Sequence, residues 1–307
     1  MGVRTDLASE AVAEKAGLPG IRVSQEHPQE GIMVTRVFID TDEAAKELGK
    51  GVGAFVTIDA PRLTENDPAY RERVEQVLQT ELSGLISGLK KGDTVLIIGL
   101  GNRTITPDAL GPAVVDKVVV SRHVTQYLPD LVDERVRPVC AIAPGVLGVT
   151  GIETGEVVLG LVEKVKPALV IAIDALASRS TDKISTSVQL TDTGVQPGSG
   201  MGIGRMQLTR ETLGVPVIAL GVPTVVHAST ISQDAVSLLL NEMGEKEENG
   251  SQLVELVGKV VSEKIGPLVV TPKDIDCIID RSAELLASGI DMALHNIGQE
   301  ELRRFLH

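Results

Sequence analysis

Two aspartates, Asp108 and Asp174, each follow an apolar run of the kind that forms buried β-strands. The run before Asp174 covers 168–173, and the run at 94–98 leads to Asp108 through a glycine-containing turn. Such runs are typical of parallel strands covered on both faces, and open α/β sheets bind ligands at the carboxyl ends of their strands. The pattern predicts that both carboxylates meet in one crevice, where two acids can perform general acid/base chemistry on an electrophilic carbon.

Each aspartate also has a purely structural interpretation. Asp108 precedes a predicted helix that its carboxylate can cap, and Asp174 can bond a neighbouring loop. Their joint position at two strand ends favours a functional role for the pair. Close approach of two carboxylates raises the pKa of one, which supplies an acid and a base. Because the titrations are coupled, the sequence leaves open which aspartate is which.

Five further polar residues are candidates for contact with a ligand. Arg179 and Arg205 flank a polar segment and can orient acidic groups of a substrate, although exposed arginines are more often only solvated. Asn102 and Arg103 follow the glycine turn and can position a substrate or the segment that covers it. His227 is the histidine predicted at a carboxyl edge of the sheet, although lone histidines are more often structural.

Motifs for other chemistries are incomplete. The turn Gly99-Leu-Gly101 lacks the third glycine of a dinucleotide fingerprint, and no Gly-Lys-Ser/Thr follows the glycines at 198–204. No serine lies in a G-x-S-x-G context, and the two cysteines stand far apart and outside any C-x-x-C pattern. We therefore expect no cofactor and no bound metal.

The elements that position the aspartates alternate between short strand-like runs and longer helical runs. Strands are predicted at 32–39, 53–59, 94–98, 136–141, 169–174 and 215–220, and helices at 68–89, 109–120 and 153–165. This order predicts an α/β fold with a doubly wound, mostly parallel twisted sheet, helices on both faces, and a smaller β-rich or loop-rich insertion. The polar, glycine-rich segment 178–205 is predicted to be a mobile loop over the substrate.

Composition limits the classes of partner. The chain has 307 residues and a formal net charge of -13, which opposes direct binding to nucleic acid, and its 2% aromatic content leaves no stacking platform for single strands. No apolar stretch reaches the roughly 18 residues of a membrane span, and the first residues do not form a signal peptide. These features predict a soluble cytoplasmic protein that does not bind membranes.

Five blocks of the sequence resemble the germination proteases of spore-forming Firmicutes: 3–10, 96–112, 172–179, 194–204 and 271–276. The resemblance extends over nearly the whole chain. It implies an endopeptidase that starts the degradation of small acid-soluble spore proteins when a spore germinates. It also implies a homotetramer in the forespore and spore core. The family's proposed pair of catalytic aspartates falls on Asp108 and Asp174.

The resemblance further implies a precursor that processes itself. The sequence Asp-Leu-Ala-Ser-Glu at 6–10 is similar to the family's substrate site, an acidic residue followed by a large apolar residue and then Ala-Ser-Glu. We therefore expect self-cleavage between Asp6 and Leu7, with 1–6 as a propeptide and 7–307 as a single α/β peptidase domain. The cleft should offer an apolar pocket for Leu7, with Arg103, Arg179 or Arg205 as basic groups facing the substrate's acidic residues.

Other functions remain alternatives. The two aspartate blocks are more distantly similar to hydrogenase-maturation endopeptidases, in which acids at these strand ends and a histidine hold a metal of the client protein. In that case His227 is the nearest candidate for the third ligand. A nucleotide-binding α/β protein would use 99–102, and a non-catalytic binding module would tolerate loss of both aspartates.

Overall fold

A sheet of nine strands forms the centre of the part of the chain that the structure describes. The structure is a computed structural model, and it describes residues 5–14, 17–65, 67–196, 206–244, 247–266 and 268–304. The strands are β1 (Ile21–Gln29), β2 (Ile32–Ile39), β3 (Gly53–Asp59), β4 (Val95–Gly99), β5 (Val139–Ile142), β6 (Leu169–Ser178), β7 (Ser187–Thr191), β8 (Val217–His227) and β9 (Val269–Val270).

Helices connect most of these strands. They are α1 (Ala8–Glu14), α2 (Asp42–Leu48), α3 (Pro68–Leu85), α4 (Leu110–Val115), α5 (Arg122–Tyr127), α6 (Leu147–Thr150), α7 (Thr154–Val165), α8 (Arg210–Leu213), α9 (Ala228–Glu242), α10 (Glu247–Val260), α11 (Ile275–His295) and α12 (Gln299–Arg304). Short 3-10 turns occur at Thr106–Asp108, Pro129–Leu131 and Thr181–Lys183, and α10 continues into a π-helical turn at Val261–Ile265. Within the described ranges, no helix combines the length and apolar character needed to span a membrane.

The sheet is mixed, with the order β1-β2-β3-β7-β8-β6-β4-β5 and β9 paired to β8. Strands β5, β4, β6 and β8 are mutually parallel, whereas β1, β2, β3, β7 and β9 join through antiparallel pairs. The expectation of a mostly parallel sheet is therefore wrong for half of the sheet. One physical reason is the connection between β1 and β2: a turn of two residues, Glu30 and Gly31, can join only antiparallel strands.

Strand β7 was not predicted, because it lies inside the segment 178–205 that the sequence indicates to be a loop. Its alternation of polar and apolar side chains extends over only five residues among many turn-forming residues. In the structure all five are buried, and the strand pairs with β3 on one side and β8 on the other. Residues 197–205 of the same segment lie outside the described part of the chain.

Helices cover both faces of the parallel half of the sheet, as predicted. Alternate residues of one strand face opposite sides, so Ile97 and Ile171 pack into the cluster that contains α3 and α11. Their neighbours Leu96 and Val170 pack on the opposite face against Val158 of α7. Continuous apolar runs at β4 and β6 are the consequence of this double coverage.

Glycines allow the turn after β4 to pass very close to α4. A Cβ atom on Gly111 would lie 2.3 Å from the carbonyl oxygen of Leu100, and one on Gly101 would lie 1.9 Å from that of Asp108. Gly101 also has a φ of 109°, which side-chain-bearing residues rarely adopt. The glycines that resemble part of a dinucleotide fingerprint therefore have a packing role that brings Asp108 against the end of β4.

We expect the helical variants Gly111→Ala and Gly160→Ala to change stability in opposite directions. The added methyl group of Gly111→Ala meets backbone atoms, and overpacking of this kind lowers the free energy of unfolding by about 1–3 kcal/mol. Gly160, in α7, has no atom within 4 Å of the added position, so Gly160→Ala should raise the free energy of unfolding by about 0.5–1 kcal/mol. Urea denaturation followed by circular dichroism measures both. Unchanged stability of Gly111→Ala would contradict the close-packing role.

Candidate active site

A cleft with a volume of about 1330 Å³ lies beside the 3-10 turn at Thr106–Asp108 and the second half of β6. The prediction that Asp174 ends its strand is wrong, because β6 continues to Ser178 through its pairing with β8. Both Asp108 and Asp174 line it, so the structure brings together the two aspartates that the strand pattern places at one edge. His227, at the end of β8, lines the same cleft. The arrangement agrees with the general position of ligand sites in sheets that contain parallel strands.

Asp108 lies at the end of its 3-10 turn and is oriented by the backbone that precedes it. The N–H group of Asn102 donates to Oδ2 of Asp108 over 2.8 Å. The N-cap residue of α4 is Ala109, and no side-chain hydrogen bond caps that helix. The carboxylate is thus not the simple helix cap of the structural alternative, and the tight glycine turn is what sets its place.

Asp174 extends from β6 and is partly buried, and its Oδ1 accepts a hydrogen bond of 2.9 Å from the N–H of Ala175. Burial of the carboxyl group, followed by the negative charges of Asp108 and Asp6, raises its pKa to about 8. Removal of water from around a carboxylate disfavours the charged form, and neighbouring negative charges act in the same direction. Asp174 is therefore mostly protonated at neutral pH and can donate a proton.

A row of residues extends across three adjacent strands at this end of the sheet. Gly221 of β8 pairs with Asp174 of β6 on one side and with Gln189 of β7 on the other. Residues in register on neighbouring strands project to the same face, and two strand spacings amount to about 10 Å. The middle residue has no side chain, and Leu176 packs over it: a Cβ atom on Gly221 would lie 2.6 Å from Cγ of Leu176. Sequence analysis missed Gln189, since β7 itself was not predicted.

The sequence expected to be the cleavage site lies in the same cleft. Asp6 extends the edge of β6: its N–H donates to the carbonyl oxygen of Ala177 over 2.9 Å, and the N–H of Ala177 donates to Oδ2 of Asp6 over 2.8 Å. Leu7 is fully buried. The segment containing the Asp6–Leu7 bond is thus held by main-chain hydrogen bonds beside Asp174.

The acidic residue four positions further along, Glu10, is bound by backbone amides. Its carboxylate accepts hydrogen bonds of 2.8 Å from the N–H of Arg179 and 3.0 Å from the N–H of Ser180. Consecutive N–H groups of this kind form a small anion-binding site. Arg179 therefore contacts the acidic residue, as predicted for this position, but through its backbone N–H and not through its guanidinium group.

The positive charge beside the segment comes from Lys50, which sequence analysis did not identify. Lys50 Nζ donates to the carbonyl oxygen of Asp6 over 2.8 Å and to that of Thr5 over 3.0 Å. Burial lowers the pKa of Lys50, while the negative charges of Asp6 and Glu10 partly offset that effect. The sequence around it, Gly-Lys-Gly, carries no motif, and only the tertiary structure reveals its position.

The predicted substrate-binding side chains have other contacts in the structure. The guanidinium of Arg103 forms an ion pair with Asp116, with Nη2 and Oδ1 3.1 Å apart. That of Arg179 lies 3.6 Å from Asp234. The side-chain oxygen of Asn102 accepts hydrogen bonds from Thr104 within its own turn, of 3.0 Å from the backbone N–H and 2.8 Å from the hydroxyl.

Arg205 lies outside the described residues. Among the residues that are described, no three His, Cys, Asp or Glu side chains converge closely enough to hold a metal ion, and His227 is not part of such a group.

Comparisons with known proteins give a consistent result. The profile of the germination protease family, Peptidase_A25, matches residues 4–264. The chain is 44% identical to a germination protease of Clostridium perfringens and 45% identical to one of Caldanaerobacter subterraneus subsp. tengcongensis, covering at least 99% of either chain in both cases. Against a germination protease of Bacillus cereus the identity is 38%, over 99% of this chain and 97% of the relative.

A solved structure is also similar in part. The [NiFe] hydrogenase maturation protease HycI from Thermococcus kodakarensis KOD1 aligns with a TM-score of 0.33 and 18% identity, covering 68% of this chain and 98% of HycI. The match of the family profile over most of the chain, together with the identity to full-length relatives, shows that this chain belongs to the germination protease family of peptidases.

Proposed function

We propose that this protein is an endopeptidase that begins the degradation of small acid-soluble proteins in the germinating spore, using Asp108 and Asp174 as its acid/base pair. We further propose that it is made as a precursor in which 1–6 is a propeptide and 7–307 is the peptidase domain. Its place of action is the cytoplasm of the forespore and the spore core. The observation that carries the proposal is the position of Asp6, the first residue of the expected cleavage site, in the cleft that Asp108 and Asp174 line.

The proposed hydrolysis requires one ionised and one protonated carboxyl group. The ionised group removes a proton from water as the water oxygen attacks the scissile carbonyl carbon, and the protonated group donates a proton as the peptide bond breaks. The raised pKa of Asp174 supports its role as the initial acid, with Asp108 as the base. One turnover leaves Asp108 protonated and Asp174 ionised. Loss of the proton from Asp108 to solvent and uptake of a proton by Asp174 restore the starting state.

We also propose that the protein assembles as a homotetramer. Several large apolar side chains are exposed in the single chain: Leu238 and Leu239 in α9, Met243 directly after it, and Leu253 and Leu256 in α10. Exposed apolar patches on soluble proteins commonly mark contact surfaces. Their exposure supports the proposal that the two helices are buried between subunits.

We expect Asp108→Asn and Asp174→Asn each to reduce kcat at least about 100-fold, because an amide cannot exchange the proton that acid/base catalysis requires. The rate is measured on a small acid-soluble spore protein, with fragments identified by mass spectrometry. Asp291→Asn is the matched control, because Asp291 is also a buried carboxyl group with a pKa raised to about 7, but it bonds Val119 and Gln299 outside the cleft. Near-normal activity of a folded Asp108→Asn or Asp174→Asn variant would exclude that residue from the chemistry.

The activity should decline as the pH rises through about 8. Asp174 is protonated below its raised pKa of about 8 and loses the proton above it, so the acid form disappears on the alkaline side. The same shift makes the folded state progressively less stable from about pH 4 to about pH 8, since the folded state retains a proton that the unfolded state has lost. Values of kcat between pH 5 and pH 10 test the first effect. A wild-type kcat that does not decline on the alkaline side of this range would contradict the role of Asp174 as the acid.

Incubation of the full chain should release residues 1–6 and leave Leu7 as the new N-terminus. The acidic side chains at positions 6 and 10 accept hydrogen bonds in the cleft, so the double variant Asp6→Asn, Glu10→Gln should be cleaved at least about tenfold more slowly. Leu7→Ile is the control that preserves an apolar side chain of equal size and should be cleaved at a similar rate. Intact-mass measurements over time give the rates.

Peptides in trans complete this test. Glu-Ile-Ala-Ser-Glu and Glu-Leu-Ala-Ser-Glu should be cut at similar rates, and Gln-Ile-Ala-Ser-Gln much more slowly. Equal cutting of all three peptides, or a precursor that stays intact while the spore protein is degraded, would refute a shared binding site for the N-terminus and the substrate.

A further inference from the structure

The carbonyl oxygen of Asp6 accepts two hydrogen bonds from side chains that the acid/base pair does not include. Lys50 Nζ donates to it over 2.8 Å, and Gln189 Nε2 donates to it over 2.9 Å. This oxygen belongs to the Asp6–Leu7 peptide bond. We propose that Lys50 and Gln189 form the oxyanion site of this peptidase, stabilising the negative charge that develops on the scissile carbonyl oxygen. The inference rests on the proposed self-cleavage between Asp6 and Leu7.

The chemistry of peptide hydrolysis creates the need for such a site. When the water oxygen bonds to the carbonyl carbon, the electron pair of the C=O double bond moves onto the carbonyl oxygen, while the base takes the water proton. Collapse of this intermediate re-forms the C=O bond, breaks the bond to nitrogen, and sends the acid's proton to that nitrogen. Donors directed at the oxygen stabilise the intermediate more than the uncharged peptide, and such differential binding lowers the barrier.

Lys50 is suited to this task by charge and by burial. Burial lowers the pKa of its ammonium group, while the negative charges of Asp6 and Glu10 favour the charged form, and a charge acts more strongly where water is excluded. It follows the end of α2, where its own N–H donates to the carbonyl oxygen of Ala45 over 3.0 Å, so the backbone is fixed at this position. The ammonium group also bonds the carbonyl oxygen of Thr5, which keeps it beside the cleaved bond.

Gln189 is held in place by the sheet and by a second contact with the segment. Its Oε1 accepts a hydrogen bond of 2.7 Å from the N–H of Ala8, while its Nε2 reaches the carbonyl oxygen of Asp6. One amide group thus spans the bond to be cleaved, with a contact on either side. Gln189 is buried in β7, in register with Gly221 and hence with Asp174, so the amide and the acid project from the same face of the sheet, about two strand spacings apart.

In this assignment the aspartates transfer protons, and Lys50 and Gln189 bind the carbonyl oxygen. With the carbonyl oxygen bound by Lys50 and Gln189, the proton of the protonated aspartate is available for the leaving nitrogen of Leu7. The acid/base pair belongs to the parallel half, and both oxyanion donors belong to the antiparallel half. The substrate backbone lies between them.

The test compares four variants of the full chain. Lys50→Met removes the charge and the donors, and Gln189→Glu keeps an acceptor for Ala8 while removing the amide donor. Both should lower kcat on saturating Glu-Leu-Ala-Ser-Glu peptide at least about 100-fold and slow release of residues 1–6 by a similar factor. Lys50→Arg, which keeps the charge, should retain clearly more activity than Lys50→Met. Lys164→Met removes an exposed lysine of α7 outside the cleft and should behave as the wild type.

Two results would overturn the oxyanion assignment. One is a kcat within about threefold of the wild type for both Lys50→Met and Gln189→Glu, in folded protein verified by circular dichroism. The other is a raised KM with unchanged kcat, since loss of uniform binding alone would show that these residues only anchor the chain. If the wild type cleaves neither substrate, or Asp108→Asn and Asp174→Asn remain active, the proposed function itself fails. Inactive aspartate variants together with fully active Lys50→Met and Gln189→Glu would reject the oxyanion site alone.

Discussion

Two carboxyl groups that share one partly desolvated cleft cannot both be ionised at low cost, and the local structure follows from that constraint. Apolar strands covered on both faces remove water from around Asp174, and the glycine turn brings Asp108 to the same edge. The proton retained on Asp174 is the result. Groups that stabilise charge in the cleft must then come from outside the pair, which gives the buried cation Lys50 its importance.

The mixed sheet brings side chains to the cleft from strands that run in opposite directions, which a purely parallel sheet cannot do. The parallel half provides the two acids, with Asp174 inside β6 and Asp108 in the 3-10 turn that follows β4. Strand β7 enters from the other direction and places an amide at mid-strand, in line with Asp174. The side chain of Leu176 packs over the glycine between them, and the backbone of Ala177 in β6 holds the Asp6 segment by hydrogen bonds.

Sequence reasoning succeeded where local pattern and tertiary environment agree. The runs before Asp174 and before the glycine turn are continuous and apolar because both faces of β4 and β6 are covered, so both strands can be predicted from the sequence, although β6 continues past Asp174 to Ser178. The antiparallel half was less accessible. Strand β1 is mostly exposed, and β7 is short, so neither has the long apolar signal that marks a buried strand.

The groups that sequence reasoning missed at the site share one physical origin. Gln189 and Lys50 reach the Asp6 carbonyl only through pairing of distant segments, and neither residue type nor spacing announces that contact. The charge of an arginine side chain predicts contact with an acidic group, yet the side chain of Glu10 accepts hydrogen bonds from backbone N–H groups. A main-chain contact has no signature in residue type, so composition cannot reveal it.

That backbone contact has an evolutionary consequence. Recognition of an acid by the N–H groups of positions 179 and 180 is indifferent to the side chains there, so those positions can change without loss of the preference. Selectivity of this kind is lost only if the chain path after β6 shifts. The hydrogen bonds to Glu10 therefore depend on the path of the backbone and not on the side chains at positions 179 and 180.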